Sequence, residues 1–209
     1  MSESAQRRKE MVDRIRDRGV RDPRVLAALA EVPRERFVDR RLAPRAYEMA
    51  PLPIEDAQTI SEPSMVAIMV EALDLHGRER VLEVGTGSGY GAAVLSQCAG
   101  QVLTIEYHQA LAHRARDVLA QLGYHNVEVR AGDGTRGAVD RAPFDAISVT
   151  AMAQRELPTA LVEQLTQDGV LVCPVGQEQT GQLIRWHHGR SETLLPVAFV
   201  PLLGGSSES

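Results

Sequence analysis

The sequence lacks several features that would mark out particular classes of protein. Only two cysteines occur, Cys98 and Cys173, and neither sits in a CxxC or other ligand pattern. They fall in an expected helix and an expected strand, so they read as buried free thiols, and no metal site is expected. No apolar stretch approaches the roughly 20 residues that span a bilayer, so membrane insertion is not expected. The first residues, MSESAQRRKEMVDRIRDRG, are charged throughout and lack the apolar h-region of a signal peptide, which makes a cytoplasmic location the expectation. Charge of one sign is missing too. Against 23 Lys and Arg stand 28 Asp and Glu, a net charge of −5, and acids are interleaved with the arginines that crowd the first 45 residues. A basic field for nucleic acid is thereby diluted, and those arginines read as solvated helix faces.

What remains is the composition of an ordinary globular chain, 44% apolar and 24% charged over 209 residues, enough for one domain with a proper core. No internal repeat or interdomain linker is visible. Residues 7 to 18 read as an amphipathic helix with Met11, Val12 and Ile15 on one side. RDPRVLAALAEVP starts a second helix, with Asp22 as N-cap, Pro23 at the first helical position and Pro33 beyond the end. Residues 38 to 60 hold three prolines and little periodicity, and read as a long irregular connection of the kind that is often functional. In QTISEPSMVAIMV, Ser61 reads as the N-cap of the next helix, its hydroxyl accepting from a backbone amide and Pro63 sitting in the first turn. A hydroxyl at a helix start is equally placed to hold an anion.

From residue 62 helices and strands alternate, the signature of a parallel sheet covered on both faces. Strands are predicted at 80–84, 101–106, 126–130, 144–150 and 169–175, and helices at about 90–98, 109–122 and 155–166. GQLIRWHH and ETLLPVAFV add two later strands as an antiparallel edge pair, and the tail GGSSES, with nothing to bury, reads as disordered.

The most informative stretch is VLEVGTGSGYGAAVL. A strand ends at Val84, then Gly85, Gly87 and Gly89 alternate with Thr86 and Ser88, and a helix begins near Tyr90. Missing Cβ atoms let the backbone turn tightly and approach a ligand at the carboxyl edge of the sheet. Counted from Gly85, Tyr90 stands where the dinucleotide fingerprint wants its last glycine. A second frame, Gly87-x-Gly89-x-x-Ala92, fits the form but begins too far past the strand, so a dinucleotide is disfavoured. The next strand ends in Glu106, placed to accept the ribose hydroxyls of a nucleotide-like cofactor. Glu83, inside the strand below the loop, suits a ligand with a cationic end, such as the ammonium of S-adenosylmethionine, and would repel a pyrophosphate. In AGDGT, Asp133 is placed either to accept from an adenine amino group or simply to make an Asp-Gly turn with Gly132 and Gly134 beside it. The six histidines, His108 among them, read as structural or solvated.

With DPRVLAALAEVPRERFV, PLPIEDAQTIS, VLEVGTGSGY, NVEVRAGDG, APFDAISVTA and PVAFVPLLGG in hand, the chain resembles the protein-L-isoaspartate O-methyltransferases from about residue 10 to residue 204. The glycine loop is shared by many S-adenosylmethionine-dependent enzymes; QTIS just before it and the proline-valine strand near the C-terminus are much more specific. The resemblance implies a Rossmann-like class I S-adenosylmethionine-dependent methyltransferase fold with an N-terminal helical segment. It implies one domain: residues 1–60 as helical segment and acceptor-side loop, 61–150 as cofactor half, 151–203 as C-terminal strands and acceptor side, and 204–209 as tail. It implies methyl transfer to the free α-carboxylate of L-isoaspartyl residues in age-damaged proteins, leaving S-adenosyl-L-homocysteine, by a monomer that needs neither nucleic acid nor membrane. Carried over by position, the cofactor residues are Glu83, Gly85, Thr86, Gly87, Ser88, Gly89, Glu106, Gly132, Asp133 and Gly134, Ser61 is the active-site serine, and Thr59 and Ile60 line the same cleft.

The chain departs from the family pattern at Ala57, where a glycine is common, at Ser64, where an aromatic residue or histidine is more frequent, in a longer turn around Ala153 and Gln154, and at Leu203, which replaces a frequent threonine. These changes border the acceptor side and bear on substrate range. Two other readings stay open: a carboxyl methyltransferase acting on aspartate or a C-terminal carboxylate of one dedicated peptide, and a cofactor-binding protein without catalysis.

Overall fold

The computed structural model describes residues 3–205 of the chain. Helix α1, Glu3–Asp17, begins four residues earlier than its periodicity predicts and buries Met11, Val12 and Ile15 as expected. Helix α2, Pro23–Glu31, has the expected cap, with the Asp22 carboxylate accepting from Arg24 N at 2.7 Å. The connection after it is largely irregular, but its last third folds into a small antiparallel hairpin, β1 (Leu52–Pro53) against β2 (Thr59–Ile60). The hairpin turn has Gln58 N donating to Glu55 O and both central residues, Asp56 and Ala57, at positive φ (54° and 55°). That backbone strains an alanine and explains why a glycine is common there.

Helix α3, Pro63–Ala72, corrects the reading of Ser61. Its N-cap is Glu62, not Ser61, and no side chain caps it. Pro63 at N1 fixes the residue before it as cap, so Ser61 lies one position outside the helix, between the hairpin and the cap.

The main sheet then builds outward and returns. Strands β3 (Arg80–Val84), β4 (Gln101–Glu106) and β5 (Val127–Ala131) pair in parallel, joined by α4 (Tyr90–Cys98) and α5 (Gln109–Gln121). Strand β6 (Phe144–Val149) comes back to the other side of β3, and β8 (Leu165–Gln177) pairs with β6 in parallel, with short β7 (Ala153–Gln154) beside β8. Strands β9 (Thr180–His187) and β10 (Arg190–Ala198) complete the sheet as the expected antiparallel edge pair, giving the order β10-β9-β8-β6-β3-β4-β5. The chain changes direction of travel at β3 and β6, and the crevice above their carboxyl ends is where open α/β sheets bind ligands.

Alternate residues of the central strands sort into two cores. Val81, Val102, Ala146 and Val170 pack with α1 to α5, whereas Leu82, Leu103, Ile147 and Leu171 face the opposite layer. That second layer is thin, because the helix predicted at 155–166 is only α6, Thr159–Val162. Pro158 limits its start, and β8 already begins at Leu165. Between them, the Gln164 side chain donates to Arg136 O and Ala160 O and accepts from Ala138 N, serving the turn before β6. Cys98 and Cys173 are buried free thiols, as expected. Among the described residues no helix is long and apolar enough to cross a membrane. Gly204 and Gly205 are described, and the rest of the expected disordered tail, 206–209, lies outside the described residues.

Candidate active site

A cleft with about 800 Å³ of free space, open to solvent on one side, lies over the carboxyl ends of β3 and β6. Its floor is the glycine loop. Gly85 turns at φ +100°, and a Cβ there would stand 2.3 Å from Thr150 Oγ1, so only glycine fits beside β6. Thr150 locks this junction, its N donating to Val84 O and its hydroxyl to Gly85 O at 2.5 Å. Ser88 Oγ accepts from Tyr90 N at 3.3 Å, at the head of α4.

Two buried carboxylates sit at this floor. Glu106 ends β4, its Oε2 accepting from Gly87 N (2.8 Å) and its Oε1 from His108 N (3.0 Å), so the carboxylate and the glycine loop are fixed to one another. Glu83 lies inside β3, 1% exposed, with Oε2 accepting from Thr104 Oγ1 at 2.6 Å. Burial pushes its carboxyl up to about 8; the Thr104 hydrogen bond opposes this and the charge of Glu106 adds to it. Gly91 makes room for it, since a Cβ there would stand 2.5 Å from Glu83 Oε1. Among the described residues no lysine or arginine lines the cleft. An acidic floor under apolar walls suits a cationic ligand and excludes a pyrophosphate, in line with the sequence-based expectation.

Of the residues singled out from sequence, Thr59, Ile60, Ser61, Glu83, Gly85, Thr86, Gly87, Ser88, Glu106 and Gly134 all line this cleft. Gly89, Gly132 and Asp133 do not. Gly89 is the left-handed residue that starts α4 (φ 88°). Asp133 makes the turn: its Oδ1 accepts from the Thr135 amide and hydroxyl, and its Oδ2 from Gly205 N. Ser64 points away from the cleft, its Oγ donating to Glu62 and accepting from Arg18. Leu203 lines the rim, 39% exposed.

Several further contributors were not singled out from sequence. His108, read as structural or solvated, lines the cleft, and its Nε2 is buried without a partner among the described residues. Thr150 and the segment Val200–Leu202 meet here through Met152, which donates to Val200 O and accepts from Leu202 N. Arg34 lies outside the lining but holds its wall. Fully buried, it donates from Nε to Ala46 O (2.7 Å) and from Nη2 to Ser61 O (2.8 Å), with its guanidinium 4.6 Å above the Tyr90 ring. Burial lowers its pKa to about 10, which leaves it charged at neutral pH. The Ser61 backbone is thus fixed from behind while its hydroxyl has no capping duty.

Comparison with known proteins agrees with this geometry. Residues 6–207 match the family model described as protein-L-isoaspartate(D-aspartate) O-methyltransferase. The chain is 52% identical to protein-L-isoaspartate O-methyltransferase 1 of Rhodopseudomonas palustris, over 96% of this chain and 84% of that one. It is 51% identical to the protein-L-isoaspartate O-methyltransferase of a Roseiflexus species, over 96% and 94%. Among solved structures, a protein-L-isoaspartate O-methyltransferase superposes with a TM-score of 0.83 at 29% identity, covering 95% of this chain and 66% of that longer one. A Plasmodium falciparum structure in complex with S-adenosyl-L-homocysteine superposes with a TM-score of 0.76 at 24% identity, over 93% and 97%, and shares the fold.

Proposed function

The chain belongs to the protein-L-isoaspartate(D-aspartate) O-methyltransferase family, and on that premise we propose that its cleft transfers a methyl group from S-adenosylmethionine to the free α-carboxylate of L-isoaspartyl residues. The cleft fits this donor on two counts. Its floor carries two buried acidic side chains, Glu83 and Glu106, and among the described residues no lysine or arginine lines it, which suits a donor with a cationic end, and its glycines leave a cradle that a Cβ would fill at Gly85. When bound, the donor supplies an electrophilic methyl group. Glu83 takes the ammonium end, Glu106 accepts from the ribose hydroxyls, and the backbone of the glycine loop closes around the amino-acid portion.

The observation that carries the acceptor side is Ser61. Ser61 lines the cleft, its carbonyl is pinned by Arg34, and the cap of α3 falls to the next residue, which leaves its hydroxyl without a capping role. In the proposed reaction the Ser61 hydroxyl donates one hydrogen bond to the acceptor carboxylate and orients it. No general base is needed, because a carboxylate with an ordinary pKa near 4 is already ionised at neutral pH. Charges cancel as the bond forms, so alignment matters more than added charge. Ile60, Val66, Ile105 and Leu202 supply apolar lining that keeps water from the reacting groups.

A hydrogen bond to a charged group contributes about 1.5–3 kcal/mol, so Ser61→Ala is expected to lower methyl transfer to an isoaspartyl peptide at least about tenfold. Because Ser61 is not the cap, the melting temperature is expected to stay within about a degree or two of wild type. Unchanged turnover would remove Ser61 from the mechanism. The same reading assigns the whole chain to one working domain, active as a cytoplasmic monomer on damaged proteins, without nucleic acid or membrane.

A further inference from the structure

Thr104 has no contact with solvent and lies beneath the cleft, in β4 directly beside Glu83 of β3. In a central strand a valine would fill the same space without a hydroxyl to satisfy, and an unpaired buried hydroxyl is costly. Here the hydroxyl is paired twice: Thr104 Oγ1 donates to Glu83 Oε2 at 2.6 Å and lies 2.6 Å from Thr86 Oγ1. A hydroxyl has one proton. With that proton given to Glu83, the second contact has Thr86 donating to Thr104, and the order runs Thr86 to Thr104 to Glu83. Thr86 belongs to the glycine loop and is itself 4% exposed, so one buried oxygen ties the loop to the carboxylate.

We propose that Thr104 is a positioning residue for donor binding, holding the Glu83 carboxylate in the orientation that receives the donor's ammonium and coupling that orientation to the glycine loop through Thr86. The inference rests on the reading of Glu83 as the ammonium partner. It is specific, because Thr104 does not line the cleft and acts on a ligand only through Glu83 and Thr86. Its removal therefore affects the amino-acid end of the ligand, which Glu83 and the glycine loop hold in this reading.

Two ligands separate this role from a general structural one. S-adenosylhomocysteine carries the amino-acid end, and 5′-methylthioadenosine is the same nucleoside thioether without it. Dissociation constants for both are measured on the full chain by calorimetry, using displacement of S-adenosylhomocysteine for the weaker ligand. Thr104→Val is expected to weaken S-adenosylhomocysteine about tenfold, the effect of losing one hydrogen bond to a charged group, while 5′-methylthioadenosine changes less than about twofold. Thr104→Ala, which places no extra methyl against Glu83 and Thr86, is expected to show the same selective loss, and Thr104→Ser to restore both affinities. Equal losses for the two ligands, no loss for either, or failure of serine to rescue would overturn the proposal. Glu83→Gln is the control for the reading beneath it: if that variant does not discriminate between the two ligands, the assignment of Glu83 to the ammonium fails, whatever Thr104 does.

Discussion

Replacing Glu83 by glutamine sets the stability of the free protein against its function. Over the window from the ordinary glutamate value of 4.5 up to about 8, the folded chain keeps a proton on Glu83 that the unfolded chain has released. The folded state then binds more protons, so this residue lowers stability as pH rises through that window. At about 1.4 kcal/mol per pH unit, the shift sets a ceiling of about 5 kcal/mol on the cost at pH 8 and above. Glutamine matches the protonated form in shape and still accepts from Thr104, but its amide must find its own partners, so a gain of about 1–3 kcal/mol is expected. For a chain of this size that is a rise of about 2–12 °C in the melting temperature of the ligand-free protein at pH 8.5, shrinking towards zero at pH 5. Thermal unfolding of both proteins across pH 5 to 9 measures it. A gain equal at both ends of the range, or no gain at pH 8.5, would refute the argument that a buried, protonated carboxyl sits at the floor of the cleft. The same variant is expected to bind S-adenosylhomocysteine at least tenfold more weakly, because an amide cannot give up a proton, as Glu83 does on binding, to face the ammonium as a carboxylate.

Ala57→Gly relieves a left-handed residue in the hairpin turn and is expected to stabilise the protein by about 0.5–1 kcal/mol, the strain removed less the added freedom of the unfolded chain; a destabilised variant in chemical denaturation would show the turn to be unstrained. Arg34→Met keeps the bulk but leaves Ala46 O and Ser61 O without their donor, and is expected to cost about 2–4 kcal/mol in urea unfolding. Unchanged stability would mean that the buried guanidinium contributes nothing beyond its volume.

Much of the site was legible because local chemistry and fold agree there. The ends of β3, β4 and α4 fall where the sequence places them, since the glycine loop admits one backbone path and Glu106 closes the next strand. The errors arise where tertiary contacts override local pattern. Ser61 has the composition of a cap, but Pro63 hands that role to Glu62. The run from Arg155 to Thr166 has helical residues, yet Gln164 serves a distant turn, and Leu165 already pairs with Phe144 at the start of β8. Asp133 was open between ligand and turn; two hydrogen bonds from Thr135 build it into the turn, and a third, from Gly205 N, ties it to the C-terminal segment. Arg34 and Thr104 were invisible for a different reason: an arginine among many arginines and a threonine in an apolar strand carry no periodic or motif signal. Only the path of the chain brings the one behind Ser61 and the other beside Glu83.

The central claim is methyl transfer to an isoaspartyl carboxylate, and the most direct measurement supplies labelled S-adenosylmethionine with a peptide containing one L-isoaspartyl residue and its twin containing ordinary aspartate. The expected result is base-labile methyl ester on the isoaspartyl peptide at a rate at least a hundredfold, or about 2.7 kcal/mol in the barrier, above that on the twin. Equal rates on both peptides, or donor binding with no transfer to either, would contradict it.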